Sequence, residues 1–284
     1  MTYPDLKHLL LTLSTERLEK IKSLKNGMNI VGLSGGKDSM ATCVLLRWLE
    51  IPFKTITAEV WWKKGVTGEN PYHYEFLHSV AAPKLNSWGV GCDFVSSEIT
   101  AYQFMTTPIA YSKNHPERIG KLRGFPFCGM CGIQRDCKVK PCQRYYKEQT
   151  DDYIVITGIA ADEKDRLLTN SANNKISMLE ILGLPEYETY SICVGENLLS
   201  PTYTFSYRNG CWFCPNQKIQ ELEILYREFP DFWSELMEIQ KMPNKLQEKF
   251  NRTQTLYDIE QQILNGVQQR WFAGSMMSKE RSKE

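Results

Sequence analysis

The sequence predicts an α/β fold, namely a parallel sheet with helices on both faces, followed by a helical C-terminal part. Short apolar runs are typical of buried strands, and they occupy residues 28–33, 53–62, 91–95 and 153–158. Segments with apolar residues at helical spacing, 38–50 and 71–88, separate these runs. Strands that alternate with helices favour a parallel sheet, because a parallel connection returns through a helix.

Both ends of the chain are predicted to be helical. The leucines near the N-terminus recur at helical spacing, so residues 4–24 are expected to form one amphipathic helix. After residue 215 the apolar pattern is helical throughout, and a last helix is expected over residues 253–270. We therefore divide the sequence into an α/β domain, residues 1–210, and a cysteine-headed helical region, residues 211–284.

Composition and charge are those of an ordinary globular protein. Apolar residues make up 42% and charged residues 24%, which predicts a packed core rather than extended disorder. The net charge of +1 gives no global field that would indicate a nucleic-acid partner. The sequence contains no apolar run of roughly 18 residues, so no membrane association is expected. We therefore predict a cytoplasmic protein, whose nine cysteines are thiols or metal ligands rather than disulfides.

A glycine loop follows the first predicted strand and precedes a predicted helix. We use this name for the six residues Ser34, Gly35, Gly36, Lys37, Asp38 and Ser39. Two glycines allow a sharp turn and a close approach to a ligand. The free N–H groups at the start of the helix and its dipole favour an anion. Lys37 adds a positive charge and the serines add hydroxyl donors, so the loop is predicted to bind a phosphate chain.

The glycine loop lacks the spacing of a Walker A motif and instead resembles the SGGxDS loop of the N-type ATP pyrophosphatases (PP-loop proteins). The resemblance implies an adenine nucleotide alpha hydrolase-like fold for residues 1–210. It also implies that the loop holds the pyrophosphate end of ATP, with Lys37 and Asp38 as catalytic residues. From the residues themselves, two roles are open for Asp38: it caps the helix, or it binds Mg²⁺ on the phosphates.

Three further segments resemble the phosphoadenylylsulfate-reductase-like branch of that family. They are Gly158–Arg166, which is similar to the GIRxDE…R segment near the nucleotide, Arg135–Pro141, and Gly210–Pro215, which is similar to GCxxCP. The first implies that Gly158 and Asp162 bind the nucleotide, although Ala160 stands where the family often has Arg. The alternative for this segment is a polar loop after a strand.

One departure from that branch bears on the reaction. Its reductases use a C-terminal cysteine, whereas residues 215–284 of this chain contain none, and those reductases tend to lose the intact loop that this chain keeps. The resemblance therefore favours a relative that cleaves ATP to adenylate an acceptor for sulfur insertion, as in DNA phosphorothioation or tRNA thiolation. The alternatives are an adenylylsulfate or phosphoadenylylsulfate reductase, and a non-catalytic nucleotide-binding module with a structural metal.

The cysteine spacing predicts a metal site. Two C-x-x-C pairs, Cys128 with Cys131 and Cys211 with Cys214, are typical of four-thiolate sites for zinc or an iron–sulfur cluster, and Cys137 and Cys142 follow closely. The resemblance favours a [4Fe–4S] cluster, with zinc as the alternative. It also favours Cys131, Cys137, Cys211 and Cys214 as the ligands.

The cysteines that do not bind the metal divide into two groups. Cys128 is the reserve ligand and the candidate catalytic thiol, because a spare thiolate near Arg135 and Lys138 suits a persulfide carrier. Cys43, Cys92 and Cys193 are interpreted as core residues, since they lie in apolar or strand-like surroundings.

Residues 113–147 form a basic segment with interleaved aromatic residues. The segment contains two anionic residues and nine cationic ones, which are Lys113, Arg118, Lys121, Arg123, Arg135, Lys138, Lys140, Arg144 and Lys147. Such a segment can bind the backbone and bases of DNA or tRNA, or it can be a solvated face or serve ATP and the cluster. A cysteine desulfurase as sulfur donor is implied by the resemblance only. The four histidines have no ligand spacing and are predicted to be structural or exposed.

Overall fold

A computed structural model describes residues 1–127, 129, 131–172 and 175–266 of the chain. The strands, in chain order, are β1 Met28–Gly32, β2 Lys54–Glu59, β3 Trp61–Lys63, β4 Val66–Thr67, β5 Cys92–Ser96, β6 Leu122–Gly124, β7 Tyr153–Thr157, β8 Lys175–Ser177 and β9 Lys245–Gln247. Five of them form one sheet in the order β5-β2-β1-β7-β8, and every neighbouring pair is parallel. The predicted α/β fold is therefore confirmed.

Helices connect these strands. They are α1 Tyr3–Thr12, α2 Thr15–Leu24, α3 Lys37–Trp48, α4 Pro71–Phe76, α5 Ala82–Ser87, α6 Ala101–Thr106, α7 Lys140–Lys147, α8 Lys164–Ala172, α9 Met178–Leu182, α10 Glu186–Gly195, α11 Ile219–Glu228 and α12 Pro230–Lys241. Residues 256–266 are also helical, and the remainder of the helix predicted over 253–270 lies outside the described residues. A π-helical turn, Leu77–Ala81, joins α4 to α5, so the helix predicted over 71–88 is continuous.

Both faces of the sheet are buried, as the parallel arrangement requires. Ile30 and Val31 are neighbours in β1 and point to opposite faces, yet both are fully buried. Val31 belongs to a core that α3, α9 and α10 help to form. On the other face α7 packs against β2 and β5. The long apolar runs in the sequence thus have their expected cause, since a strand covered on both faces has no polar side.

Two predicted boundaries were wrong for local reasons. The helix predicted over 4–24 is two helices, because the Ser14 side chain caps α2 by accepting a hydrogen bond from the Arg17 backbone N–H (3.4 Å). The strand predicted over 53–62 ends at Glu59, and β3 pairs instead with β4 in an antiparallel hairpin. Gly65, with φ of 78°, provides the turn of that hairpin.

The described chain divides into two compact units. The first comprises Met1–Glu98 and Asp136–Cys211 and contains the five-stranded sheet; the second comprises Ile99–Arg135 and the residues from Trp212 onward. The boundary predicted between 210 and 211 lies beside one of these divisions, but residues 99–135 join the C-terminal residues. The reason is that β6 pairs in parallel with β9, a three-residue strand in a region that the sequence predicted to be helical throughout.

Among the described residues, no helix is both long and apolar enough to span a lipid bilayer.

Candidate functional site

The glycine loop lies at the carboxyl end of β1, where the order of the sheet reverses. β1 has β2 on one side and β7 on the other; the chain leaves β1 toward β2 and leaves β7 in the opposite direction, toward β8. The segment that begins with Gly158 follows β7 directly. Ligands of open α/β sheets bind in the crevice at such a point, between the loops that follow the two strands. Both nucleotide-binding segments predicted from the sequence therefore lie at one crevice.

The loop conformation needs glycine at position 35. Gly35 has φ of 71°, in the left-handed region that favours glycine. A Cβ atom at this position would lie 2.5 Å from Leu77 Cδ2 and 2.7 Å from His73 Cε1. Gly36 then occupies the N-cap of α3, which begins at Lys37. The two glycines thus let the chain turn against α4 and enter α3 within two residues.

Gly158 packs against the first turn of α3. A Cβ atom at position 158 would lie 2.6 Å from the Ser39 backbone nitrogen and 2.7 Å from both the Asp38 carbonyl carbon and Ser39 Cα. These are backbone atoms, so they cannot move aside as a flexible side chain would. The chain after β7 therefore supports the start of α3 directly, and only glycine fits there.

The side chains of Ser34 and Ser39 form hydrogen bonds within the glycine loop. The Ser34 backbone N–H donates to Ser39 Oγ (3.3 Å), and the Ser39 hydroxyl donates to the Gly36 carbonyl (2.9 Å). The Gly36 N–H in turn donates to Ser34 Oγ (3.3 Å). These bonds hold the turn in a ring before any ligand binds.

Backbone N–H groups at the start of α3 are available to an anion. Within the described residues, the Asp38 and Ser39 N–H groups have no hydrogen-bond acceptor, as expected for the first turn of a helix. The Lys37 N–H donates to the Tyr203 hydroxyl at 3.0 Å. Burial raises the pKa of the Tyr203 phenol, so this hydroxyl is neutral. A neutral oxygen therefore occupies a position that suits a phosphate oxygen.

The Lys37 ammonium is held between two carboxylates. It lies 2.5 Å from Glu186 Oε1 and 3.3 Å from Asp38 Oδ1, and its side chain is 11% exposed. Burial lowers the pKa of Lys37, but the hydrogen bond to Glu186 and the charge of Asp38 outweigh it, so the pKa lies above its ordinary value. Lys37 is therefore charged at neutral pH, and a phosphate that binds it competes with Glu186.

Asp38 is the second residue of α3, and Gly36 is the N-cap. The prediction that Asp38 caps the helix was therefore wrong, because the turn ends two residues before it. Its Oδ1 atom accepts a hydrogen bond from the Thr189 hydroxyl (2.7 Å) as well as the contact from Lys37. The other predicted role, binding Mg²⁺, stays a prediction.

Helix α10 supplies three contacts that the sequence did not indicate. Glu186 binds Lys37, Thr189 binds Asp38, and the Cys193 thiol donates to the Lys37 carbonyl (3.2 Å). Burial raises the pKa of Cys193 to about 12, which keeps it a neutral thiol. These residues lie about 150 positions after the loop, and their own sequence segment carries no motif that would point to a site.

His73, predicted to be structural or exposed, is buried against the glycine loop. Its Nε2 atom lies 2.8 Å from the Ser34 carbonyl oxygen, so Nε2 carries the proton and donates. Its Nδ1 atom lies 3.1 Å from the Ser200 hydroxyl. Burial lowers the pKa of His73, against the opposing charge of Glu69. The imidazole is therefore a neutral, structural donor to the loop.

We expect the stability of the chain to depend on His73 below neutral pH. Because its pKa is lowered by folding, the unfolded chain binds a proton first as the pH decreases below about 6.5. The free energy of unfolding should therefore fall between about pH 7.5 and 5.5, and less steeply in His73→Gln. Urea unfolding across this range checks the prediction, with exposed His8→Gln as control. An equal slope for His73→Gln and the wild type would contradict it.

Asp162, predicted to bind the nucleotide, caps a helix in this structure. Its Oδ1 atom accepts a hydrogen bond from the Glu186 backbone N–H (3.2 Å), the first residue of α10. Glu163 accepts from the Ala160 N–H (3.2 Å) and pairs with Arg166. This segment therefore positions α10, which in turn carries the partners of Lys37 and Asp38.

A pocket of about 190 Å³ opens at the carboxyl ends of β1 and β2, beside Ser34. Its walls are mostly apolar, with Ile56, Ala58 and Leu77 among them. Two carboxylates line it as well, Glu59, which pairs with His78 (2.7 Å), and Glu69, which pairs with Lys138 (2.6 Å). The pocket therefore adjoins the glycine loop and suits a flat, largely apolar group.

The predicted metal ligands do not form a recognisable site in the described residues. There, no group of three or more His, Cys, Asp or Glu side chains is arranged to hold a metal ion. Cys137 is buried, whereas Cys131, Cys211 and Cys214 are half-buried. Cys128 lies outside the described residues. The thiolate set suits iron–sulfur or zinc by its chemistry, so the metal stays a prediction from the spacing.

The remaining cysteines, Cys43, Cys92, Cys142 and Cys193, lie in the first unit. Cys43 and Cys193 are fully buried, which confirms the core interpretation for both, while Cys92 is half-buried. Cys142 lines the pocket beside the glycine loop. Burial raises the pKa of the Cys142 thiol despite the charges of Lys175 and Lys138.

The basic segment divides between the two units, 113–135 in the second and 136–147 in the first. Among its cations, Arg118 pairs with Glu117, Lys138 with Glu69, Lys140 with Asp136 and Arg144 with Glu98. In the described chain, Lys113, Lys121 and Lys147 make no ion pair. Part of the positive charge of the segment is thus neutralised by neighbouring carboxylates. The prediction of a nucleic-acid partner therefore depends on the cations that make no ion pair.

The sheet topology and the position of the crevice define the class of fold. The parallel sheet of five strands, with its loop at the point where the strand order reverses, is compatible with a Rossmann-like nucleotide-binding fold. Scanned against family models, the chain matches none, and no curated protein matches it either.

Proposed function

We propose that this chain is an ATP pyrophosphatase that adenylates an acceptor for sulfur insertion, namely a nucleic-acid sulfurtransferase. The observation that carries the proposal is the glycine loop at the crevice, with Gly158 packed against it and unpaired N–H groups at the start of α3. The resemblance of this loop to that of the N-type ATP pyrophosphatases supplies the reaction. ATP is the substrate, and AMP transfer releases pyrophosphate.

The residues of the loop suit the leaving group. The N–H groups of Asp38 and Ser39, with the α3 dipole, would bind the pyrophosphate oxygens. Lys37 would exchange its contact with Glu186 for the phosphates, which stabilises the charge that develops as pyrophosphate leaves. Asp38 would hold Mg²⁺ on the phosphates. The pocket beside Ser34 would receive the adenine base, because its walls are largely apolar.

The sulfur-transfer half of the proposal is supported by the cysteines and the basic segment. Cys131, Cys137, Cys211 and Cys214 would hold a [4Fe–4S] cluster, which supplies redox or sulfur chemistry when bound. Cys128 would serve as the carrier thiol. Exposed cations of the basic segment would bind the phosphates of DNA or tRNA, and a cysteine desulfurase would supply sulfur.

Product analysis tests the first half of the proposal. ATP labelled in its α-phosphate is incubated with the purified chain, Mg²⁺ and candidate DNA or tRNA, and products are separated. AMP or an adenylated acceptor, together with one pyrophosphate for each, is the expected result. Release of ADP and inorganic phosphate instead would show a different cleavage site and overturn the pyrophosphatase assignment.

We expect metal analysis of the anaerobically purified chain to find about four irons and four sulfides per chain. Replacing Cys214 by serine should remove most of this iron, because one thiolate of the cluster is lost, whereas replacing the core cysteine Cys43 should not. Elemental analysis measures both. Stoichiometric zinc without iron would show that the cysteines form a structural zinc site, and the sulfur-transfer proposal would lose its main support.

Tyr203 is expected to compete with the ligand for the Lys37 N–H. In Tyr203→Phe the Lys37 N–H has no hydroxyl to donate to, so pyrophosphate can accept this hydrogen bond without displacing another acceptor. We expect pyrophosphate to bind about three- to tenfold more tightly, the usual worth of one hydrogen bond. Titration calorimetry with magnesium pyrophosphate measures the change. Exposed Tyr207→Phe is the control, and weaker binding in Tyr203→Phe would instead make the hydroxyl part of the binding site.

A further inference from the structure

A chain of hydrogen bonds, fully buried at its centre, connects two carbonyl groups of the glycine loop. His73 Nε2 donates to the Ser34 carbonyl (2.8 Å), and His73 Nδ1 contacts Ser200 Oγ (3.1 Å). Ser200 Oγ lies 2.9 Å from Thr202 Oγ1, and the Thr202 hydroxyl donates to Asn209 Oδ1. Asn209 Nδ2 then donates to the Gly35 carbonyl (3.4 Å). The chain begins and ends on consecutive residues of the loop.

Three members of this chain are buried, and the fourth, Asn209, is half-buried. His73 and Ser200 are each 2% exposed and Thr202 is 1% exposed. Burying polar groups is costly unless they are hydrogen-bonded, and an apolar core could fill the same space. A fully connected polar chain at this depth therefore specifies a geometry that apolar packing would not.

The geometry that it specifies is the direction of two peptide groups. In a trans peptide the C=O and the following N–H point in opposite directions, and the described peptide bonds are trans. When His73 holds the Ser34 carbonyl, the Gly35 N–H points away from His73. When Asn209 holds the Gly35 carbonyl, the Gly36 N–H likewise points away from Asn209. The Gly35 N–H therefore points to the opposite side of the loop, whereas the Gly36 N–H, also directed away from Asn209, donates to Ser34 Oγ (3.3 Å).

Hydrogen-bond directions along the chain are consistent with this role. The Ser34 carbonyl only accepts, so His73 Nε2 carries the proton, and a neutral His73 then accepts from Ser200 at Nδ1. At the other end the Thr202 hydroxyl donates to Asn209 Oδ1, which turns the Asn209 amino group toward Gly35. Thr202 thus decides which side of the Asn209 amide meets the loop.

We propose that His73, Ser200, Thr202 and Asn209 are positioning residues that aim the Gly35 N–H group at the pyrophosphate of the bound nucleotide and fix the peptide group of Gly36 beside it. The inference rests on the proposed function for the identity of the anion. Freely rotating glycines would otherwise lose these orientations, because glycine has the largest backbone freedom of any residue. Preorganised donors contribute to binding and to transition-state stabilisation because no reorganisation is needed when the charge develops.

Thr202 allows a sharp test, because it lies between the two ends and touches neither loop carbonyl. Thr202→Val keeps the shape and removes the hydroxyl, whereas Thr202→Ser keeps the hydroxyl. Titration with magnesium pyrophosphate should show binding weakened about tenfold in Thr202→Val and within about twofold of the wild type in Thr202→Ser. The matched control is Thr55→Val, another fully buried threonine, whose hydroxyl contacts Gly91 rather than the chain.

Amide hydrogen exchange of Gly36 gives a readout that does not depend on ligand, because the Gly36 N–H donates to Ser34 Oγ and belongs to the peptide group whose carbonyl Asn209 holds. We expect faster exchange at Gly36 in Thr202→Val than in the wild type or Thr55→Val, and urea unfolding of each variant establishes that it is folded under the conditions of the measurement. Unchanged Gly36 exchange and unchanged pyrophosphate binding in Thr202→Val would overturn the positioning role. A wild type that binds neither pyrophosphate nor ATP, with Gly36 exchange still dependent on Thr202, would instead overturn the proposed function and leave the loop geometry as inferred.

Discussion

Replacing Lys37 by alanine is expected to slow the cleavage of ATP to AMP and pyrophosphate by about 10²–10³-fold. Lys37 carries the one positive side-chain charge of the glycine loop, and its pKa is raised above the ordinary value, so it is charged when pyrophosphate leaves. Its removal would also leave Glu186 without its partner 2.5 Å away, next to the departing phosphates. Both effects disfavour the transition state. Steady-state measurement of pyrophosphate release determines the rate.

The controls for Lys37→Ala separate the charge from the fold. Lys25→Ala removes an exposed cation at the C-terminus of α2 that makes no ion pair within the described residues, and should leave the rate unchanged. The double variant Lys37→Ala with Glu186→Gln should recover part of the loss, because the unpaired carboxylate is neutralised. Unchanged ATP cleavage in Lys37→Ala, at wild-type stability, would exclude the glycine loop as the reaction site.

Replacing Gly158 by alanine should damage the nucleotide site and the fold together. The added Cβ atom would lie 2.6 Å from the Ser39 nitrogen and 2.7 Å from Asp38 and Ser39 carbon atoms. The start of α3 must shift to make room, at an expected cost of about 1–3 kcal/mol in the free energy of unfolding. The N–H groups of the glycine loop shift with it, and we expect the ATP affinity to fall by about tenfold or more.

Gly195→Ala is the matched control for Gly158→Ala. A Cβ atom at Gly195, the last residue of α10, would meet no atom within 4 Å, so the substitution should be neutral or slightly stabilising. Urea unfolding and titration with ATP measure the two effects separately. Wild-type stability and wild-type ATP affinity in Gly158→Ala would contradict the close approach of β7 to α3.

The fold could be predicted from the sequence where the pattern of apolar residues identifies an element as a strand or a helix. Strands β1 and β7 are covered on both sides, so their apolar runs are unambiguous. Strand β9 was missed because three residues give no measurable period, and its pairing with β6 joins segments about 120 residues apart. The break between α1 and α2 was missed because one serine cap is a weak signal within a continuous apolar pattern.

In the candidate site, the glycine loop could be recognised from its own six residues and their neighbours in the sequence. Its glycines, lysine and serines act on neighbouring residues, and the strand before it and the helix after it were visible in the same stretch of chain. The contact between Gly158 and the start of α3 was predicted only as nearness to the same ligand. The resemblance suggested that nearness; the distances show a steric requirement.

The residues that surround the glycine loop could be identified only from the folded chain. Glu186 and Thr189 reach Lys37 and Asp38 from α10, and His73 and Asn209 reach the loop carbonyls from two other segments. None of these residues belongs to a motif, because a hydrogen-bond partner needs only a donor or acceptor in the right place. A site formed by adjacent residues can be recognised in the sequence. The positions of side chains from distant segments depend on how the whole chain packs.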